Sequence, residues 1–587
     1  MCFAKTVTVR RACLLLCNPP GLLLQELEFW KIQLQQKVMS TDTSFQPPRK
    51  KPSIYWWLGG ALLVLLLIFL LQLFGPSPQI IVSPQTTYIT TPLRPNGLPD
   101  YEAYILERSR AGVTPENNAA AILWPVLWPG EVGPRRYAAV SAALGLRAIP
   151  SKSGAIAPLY KHIVASFGQS AANPDFAEQL RDQLISQPWT TAQYPPLAKW
   201  ASDNKKPLDA LVAGSQQSRF YFPSPSLLDQ EPDLAIGMLV PEVDTLREAA
   251  RSLSARAMWY AGEQRLVEAW QDLQAAHRIS RLATQGPWLV DQRVAMAISN
   301  HACESTIAML HEGQPSVDEA RKVLRDLASL KSFSGIAEVL DIERVMYLDT
   351  IIELSRGNVD AESLRLTGQD RRMTYVRHFC IDWNVALRKG NDFYDRFVSA
   401  ALLKDRAARE QALATIDAQV AQLEYNWSTN SLFTAVISPS IRTDMIASRF
   451  ISNFLPALKT AFVTEDRANT TFDLTCLAAA LAVYRAEHGA YPDKLEALVP
   501  SALEKMPTDL YHAKPFLYNR IGDGYLLYST GDNGQDDHGS NELMEIFEGQ
   551  SSDDIDTSNS NQPATSQIPT GADDISIRVP RPQLKQP

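Results

Sequence analysis

The sequence predicts a mainly α-helical protein with one N-terminal transmembrane helix, an irregular helical array outside the cytoplasm and a small C-terminal α+β unit. Three observations predict this fold class. One uncharged apolar run lies near the N-terminus, apolar patterns of helical period fill the middle of the chain, and short β-like segments follow the last long helical pattern. With 587 residues and 45% hydrophobic content, the chain can bury a large core.

The apolar run extends from Ile54 to Phe74 without a charge. At about 1.5 Å per residue, it is long enough to cross the ~30 Å hydrocarbon layer of a membrane. Basic residues at 49–51 precede it, and the next one is Arg94. This asymmetry predicts a cytoplasmic N-terminus, with everything after the run extracytoplasmic and the bilayer as a partner of the run itself. A buried helix of a soluble protein is the alternative interpretation.

The run is interpreted as an uncleaved signal anchor, because it exceeds the usual apolar region of a signal peptide and no small-x-small site follows it. Residues 1–53 are then the cytoplasmic tail. Met39 is a second candidate start, since it opens the polar, basic and apolar order of an anchor, and residues 1–38 would then not be translated.

Beyond the anchor, six prolines in residues 75–99 predict an extended stalk. Residues 100–463 form the predicted α-helical domain. Its clearest element is a hairpin between Glu242 and Ser280, with apolar residues at spacings of three and four and Gly262 in a left-handed turn. Further helical patterns cover residues 287–311, 317–330, 336–355 and 371–387.

Residues 464–548 form the predicted α+β unit. A helix from Glu465 to His488 is capped by Thr464 and closed by Gly489, and β-like segments follow at 516–518 and 525–528. Residues 549–587, rich in Ser, Asp, Asn, Gln and Pro, predict a disordered tail.

Four short motifs follow one another within residues 470–537. They are Gly489-Ala-Tyr-Pro492, Met506-Pro-Thr-Asp509, Lys514-Pro-Phe-Leu-Tyr518 and the stretch from Tyr525 to Gln535. In these motifs the segment resembles the C-terminal part of type II secretion major pseudopilins. The resemblance implies a helix on a short antiparallel sheet, with a calcium-binding loop after the last strand. The anchor lacks the Phe-Thr-Leu-x-Glu start that prepilin peptidase recognises, and the loop aspartate of the family falls on Asn533.

Two further motifs lie in the helical region, Thr114-Pro-Glu-Asn-Asn-Ala-Ala120 and Arg219-Phe-Tyr-Phe-Pro223. With them, the chain is similar to bacterial membrane-anchored proteins that couple a helical array to a pseudopilin-like end. This resemblance implies an architecture and no activity.

The candidate metal ligands are Asp532, Asn533, Asp536 and Asp537, oxygen donors among glycines that allow a tight loop. Such hard ligands suit calcium. The loop is not an EF-hand, because Leu543 stands where the twelfth position requires an acid. A solvated acidic turn explains the same residues, and both interpretations stay open.

Histidines and cysteines give a weaker signal. His301-Ala-Cys303 and His378-Phe-Cys380 repeat a His-x-Cys pattern, but in a helix residues two apart point about 200° away from each other, so packing explains them better than zinc. Cys303, Cys380 and Cys476 allow one disulfide. His277 lies on an apolar stripe and is interpreted as a core residue.

The net charge of −8 argues against nucleic acid as a partner. The sequence contains no phosphate loop, His-Glu-x-x-His, Gly-x-Ser-x-Gly or dinucleotide motif. The preferred hypothesis is therefore a non-enzymatic, membrane-anchored scaffold of the bacterial envelope that binds a protein partner. The alternatives are an accessory component of a secretion or pilus-like system and an extracytoplasmic hydrolase with dispersed catalytic residues.

Overall fold

The computed structural model describes residues 54–127, 134–146, 154–168, 174–223, 242–333, 335–358, 379–429, 438–454, 456–541 and 572–580. The chain divides into two units, of which the first ends at Phe69 and the second begins at Leu70. The first contains most of helix α1 (Ile54–Phe74), which is long and apolar enough to cross a membrane and exposes nearly all of its side chains. The predicted cytoplasmic tail and both candidate starts lie outside the described residues.

The second unit is mainly helical, as predicted. Its helices are α2 (Tyr101–Arg110), α3 (Ala119–Leu127), α4 (Pro134–Ala143), α5 (Leu159–Phe167), α6 (Pro174–Ser186), α7 (Pro195–Asp203), α8 (Lys205–Ser215), α9 (Glu242–Gly262), α10 (Leu266–Ala283), α11 (Leu289–Glu312), α12 (Val317–Ala328), α13 (Gly335–Arg356), α14 (Trp383–Ala401), α15 (Arg406–Thr429), α16 (Pro439–Phe454) and α17 (Pro456–His488).

The centre of the array is the predicted hairpin of α9 and α10, which packs on α11. The hairpin is confirmed, but the role of Gly262 differs from the prediction. Gln264 takes the left-handed conformation, and Gly262 is the last residue of α9. A Cβ on Gly262 would lie 2.1 Å from the carbonyl oxygen of Trp189. Glycine is required there because another segment approaches closely, not because the turn needs a positive φ.

A buried ion pair holds the hairpin together. Arg256 of α9 donates to Asp272 of α10 through Nε and Nη2, both at 2.7 Å, and through Nη1 to Asp209 of α8 at 2.9 Å. Arg256 and Asp272 are both almost completely buried. Removing Arg256 or Asp272 would leave the other charge buried without compensation. The additional bond from Arg256 to Asp209 connects α8 to the hairpin.

The stalk prediction for residues 75–99 is wrong. The segment contains a turn at residues 84–87 and packs along α14. Asn384 Nδ2 donates to the Gln79 carbonyl at 2.9 Å, and Asn391 Nδ2 donates to the Thr86 carbonyl at 2.9 Å. Thr86 and Thr87 are buried. The physical reason is that backbone outside helices and sheets leaves carbonyls without partners, and two asparagines seven residues apart on one helix face can satisfy them.

The two motifs of the helical region pair with each other. Asn118 and Arg219 form a parallel bridge, and Asn118 exchanges two hydrogen bonds with the backbone of Tyr221, both at 2.9 Å. Asn118 lies directly before α3, and its Oδ1 also accepts from the nitrogen of Ala120, in the first turn of that helix, at 3.1 Å. The motifs therefore fix the start of α3 against the segment that follows α8.

The helix predicted over 371–387 begins later. Residues 371–378 lie outside the described residues, residues 379–382 are not helical, and Asp382 caps α14 by accepting from Asn384 N at 3.1 Å. An acceptor side chain at this position starts a helix and ends the preceding loop.

The C-terminal unit contains α17, a short 3₁₀ helix (Leu495–Leu498) and an antiparallel sheet of order β1-β2-β3. The strands are β1 (Leu517–Ile521), β2 (Gly524–Ser529) and β3 (Ile575–Val579). In the central strand, Leu527 pairs with Tyr518 on one side and Ile577 on the other. Helix α17 contacts β2 and β3.

Two boundaries of this unit differ from the prediction. Helix α17 begins at Pro456, and Thr464 is no cap, because it lies inside the helix and donates to the Thr460 carbonyl at 2.8 Å. Part of the predicted disordered tail, residues 572–580, is ordered and contributes β3. The alternation of buried and less buried residues in Ile575–Val579 supports the strand.

Glu465 connects α17 to α13. Its Oε1 accepts from Ile336 N at 3.3 Å, in the first turn of α13, and the side chain is almost completely buried. Burial raises the pKa of Glu465 from 4.5 to about 7. The carboxyl group thus caps a neighbouring helix, and its burial for this role disfavours the charged form of the group.

We expect Gly262→Ala to destabilise the second unit by about 1 to 3 kcal/mol, because the added Cβ overlaps backbone that cannot move freely. Chemical denaturation of the full chain in detergent measures this loss. The matched control is Gly154→Ala, where a Cβ meets nothing within 4 Å. Equal stability of the two variants would contradict the close approach at Trp189.

We expect Glu465→Gln to change the pH dependence of stability. Because the folded state raises this pKa, the contribution of Glu465 is fully present below pH 4.5 and is lost as pH rises to about 7. Glutamine keeps an acceptor for Ile336 and does not ionise. The variant should match the original chain near pH 4.5 and exceed its stability at pH 8 by about 3 kcal/mol.

Denaturation at pH values from 4.5 to 8 checks this expectation, with Glu496→Gln, an exposed glutamate, as the control. A stability difference that stays constant over this pH range would show that Glu465 does not titrate as described.

Candidate cation site

The acidic loop that follows β2 folds against the residues that precede β3. Asp573 Oδ2 accepts from the backbone nitrogens of Asp532 at 3.0 Å and Asn533 at 3.2 Å. Farther along the loop, Asn541 forms a bridge with Asp573 and donates to the Asp574 carbonyl at 2.8 Å. The loop is therefore closed by a segment far away in sequence.

This closure brings together the carboxylates of Asp537, Asp573 and Asp574. One oxygen of each lies within 4.8 Å of the others. Two full charges about 5 Å apart repel by about 3 kcal/mol at an effective dielectric constant near 20. Arg467 supplies one positive charge beside the cluster, and its Nη1 donates to the backbone carbonyl of Asp573 at 3.3 Å. The single positive charge of this guanidinium does not neutralise three carboxylates.

Asp574 is the most deeply placed member of the cluster. It is 0% exposed, its Oδ2 accepts from Gly539 N at 2.8 Å, and its Oδ1 has no hydrogen-bond partner among the described residues. Burial, together with the carboxylates of Asp537 and Asp536, raises the pKa of Asp574 to about 6. Burial also raises the pKa of Asp573. An unpartnered buried oxygen beside two acids calls for a proton or a cation.

The four predicted ligands have different roles in the structure. Asp537 belongs to the cluster. Asn533 Nδ2 donates to Asp537 Oδ2 at 2.9 Å, so it supports the cluster through its amide group. Asp536 accepts from Tyr528 Oη and from His538 N, both at 3.0 Å. These contacts connect the loop to β2 and stabilise its turn.

Asp532 points to the helical array. Its carboxylate forms an ion pair with Arg406 of α15, and Arg406 Nε also contacts Asp466 of α17 at 3.2 Å. This pairing gives Asp532 a structural partner and separates it from the three clustered acids.

The cluster fits a hard cation. Calcium binds oxygen ligands at about 2.3 to 2.6 Å, so two ligands of one ion can be up to about 5 Å apart. The separation within the cluster allows all three carboxylates to reach one such ion. Asp537, Asp573 and Asp574 would hold it, and its charge would connect the loop to β3.

Asp573 and Asp574 could not be assigned from the loop sequence. The available signal was two adjacent acids directly before the alternating pattern of Ile575–Val579. Without knowing that this strand pairs with β2, nothing places these acids beside Asp537.

The histidine and cysteine patterns form no metal group in the described part of the chain, where the aspartate cluster is the one group close enough to hold an ion. Cys303, Cys380 and Cys476 are free, and His378 lies outside the described residues. His277 is completely buried, its Nε2 lies 3.1 Å from Thr306 Oγ1, and burial lowers its pKa to about 3. It packs in the core as predicted.

In comparisons with known proteins, no family model matches the chain, and no curated protein or solved structure matches it significantly.

We expect calcium at about 100 times its dissociation constant to stabilise the C-terminal unit by roughly 2.7 kcal/mol. Thermal unfolding of the full chain in detergent, with calcium and with chelator, measures the shift. Asp574→Asn should abolish the calcium response, and it should unfold at a higher temperature than the original chain in chelator because one repelling charge is gone.

The control for this experiment is Asp523→Asn, an exposed acid in the turn between β1 and β2. It should keep the full calcium response. If the original chain shows no shift, the acidic cluster is a protonated or solvated turn and the calcium interpretation is wrong.

Proposed function

We propose that this chain is a single-pass scaffold of the bacterial envelope, anchored by α1, whose helical array and C-terminal sheet bind a protein partner outside the cytoplasm. The basic residues at 49–51 support a cytoplasmic N-terminus. The free apolar surface of α1 supports its insertion into lipid.

The continuous core of the second unit is the observation that carries the proposal. Buried residues from Ile89 to Val579 belong to one hydrophobic cluster. The array and the sheet are therefore one body, and a partner bound at any point on it is held at a fixed position relative to the rest. Stacked helices also offer extended surfaces of the kind that bind proteins.

The C-terminal unit supports a second candidate function, an accessory role in a secretion or pilus-like system. Helix α17 packs on an antiparallel sheet, which supports this candidate, whereas the acidic loop follows β2 and precedes a third strand, β3, that the resemblance does not imply. The anchor carries no prepilin peptidase motif, so the proposal concerns contact with such a system and not incorporation into a filament.

We expect alkaline phosphatase fused after Pro587 to be active and a cytoplasmic fluorescent protein at the same place to be dark, because the proposed topology exports everything after Phe74. The control is a Leu66→Arg, Leu67→Arg variant, in which two charges disrupt the apolar run and should release the chain from membranes at alkaline pH. The opposite reporter pattern would overturn the topology.

Cross-linking of the tagged full chain in cells separates the two candidate functions. A scaffold should give one protein partner in a constant ratio, and it should do so in cells without secretion genes. An accessory component should cross-link to secretion proteins and lose its partner when those genes are deleted. A chain that yields only itself under both conditions would overturn both proposals.

A further inference from the structure

The last turn of α1 is held by the helical array. Cys380 N donates to the Leu73 carbonyl at 2.9 Å, and Arg442 Nη2 donates to the Gln72 carbonyl at 3.0 Å. The Phe74 and Phe379 rings lie 5.8 Å apart between centroids. The carbonyls at the end of a helix have no partners within it, so these donors complete α1.

Arg442, in the first turn of α16, is the centre of this contact. It is 1% exposed and also donates to the Cys380 carbonyl through Nε at 3.1 Å and Nη2 at 2.9 Å. Its guanidinium lies 5.4 Å from the Phe379 ring. Through these hydrogen bonds Arg442 joins α1, the loop at 379–381 and α16.

The position of this contact along the apolar sequence sets its depth. The uncharged run ends at Phe74, and a helix that spans a bilayer with this run places its end at the boundary between acyl chains and headgroups. The array residues that hold Gln72 and Leu73 must then lie at the same level. Spanning by α1 would thus place residues 379–381 and the start of α16 at the level of the lipid headgroups.

Apolar side chains are exposed in the segments that form this contact and in the segment that follows α1. Phe74 is 63% exposed, Ile441 next to Arg442 is 38% exposed, and Ile81 is 59% exposed where its backbone nitrogen bonds Asn384 of α14. Phe379 lies beside them, half-buried. We call these four residues the membrane-facing patch. Exposed aromatic and aliphatic groups at the end of a spanning helix match the interfacial zone of a bilayer.

We propose that the membrane-facing patch rests in the interfacial zone of the outer leaflet, so that the array is seated on the bilayer. This inference rests on the proposed anchoring by α1 and deepens it, because it assigns a lipid-contacting surface to the extracytoplasmic body itself. The packed segment 75–99 supports it, since the segment leaves no free spacer between α1 and the array.

Fluorescence of the full chain in phosphatidylcholine vesicles tests the proposal. An environment-sensitive fluorescent amino acid replaces Ile441 in one variant and Val267, which is 50% exposed on α10, in another. Brominated lipids that quench near the interface should reduce the emission at position 441 at least twofold. They should leave the emission at position 267 nearly unchanged.

A second variant tests the role of Arg442. Arg442→Ala in the Ile441-labelled chain should reduce the quenching by brominated lipid at least twofold, because the end of α1 is no longer held by α16. The matched control is Arg388→Ala, an exposed arginine of α14, which should leave the quenching unchanged.

Vesicle flotation separates the two ways in which the proposal can fail. If the chain floats with the vesicles and position 441 is quenched no more than position 267, the seated array is overturned and the anchor stands. If the chain does not float, the anchoring by α1 fails and the membrane-facing patch fails with it.

Discussion

The second unit depends on the burial of α17 between two layers. Every residue from Leu477 to Val483 is buried, on all sides of the helix. One side of α17 packs against α11 and α12, and the other contacts β2 and β3. A helix buried all round needs small side chains where its neighbours approach, and the sequence Leu477-Ala-Ala-Ala-Leu-Ala-Val483 provides them. Helix α17 therefore joins the core of the array to the core of the sheet.

Local patterns were sufficient to predict part of this fold. The period of the hairpin defined α9 and α10, and the uncharged run defined α1. The prediction failed where a distant segment decided the outcome. Thr464 is a residue type that often caps helices, yet the helix continues through it because the residues before it are also packed. Glycine is typical of turns, yet glycine is required at position 262 because the backbone of Trp189 approaches closely there.

The segment at 75–99 and the acidic loop show the same limit of local reasoning. Proline content predicted extended backbone throughout, yet residues 84–87 form a turn, and contacts with the asparagines of α14 decide that the segment is packed. In the loop, counting oxygen donors selected Asp537, which the structure places beside Asp573 and Asp574. Asp532, by contrast, is paired with Arg406. The other two clustered acids, Asp573 and Asp574, directly precede β3, a strand that the sequence did not predict.

The late position of β3 in the chain has a consequence for folding. The chain is made from its N-terminus, so β2 is complete long before its second neighbour exists. During that interval its backbone groups are available to pair with another chain, which is the usual origin of strand-mediated aggregation. The residues between Asn541 and Ala572 carry several acids and neither lysine nor arginine. Their like charges repel other copies of the chain during the interval in which β2 is an open edge.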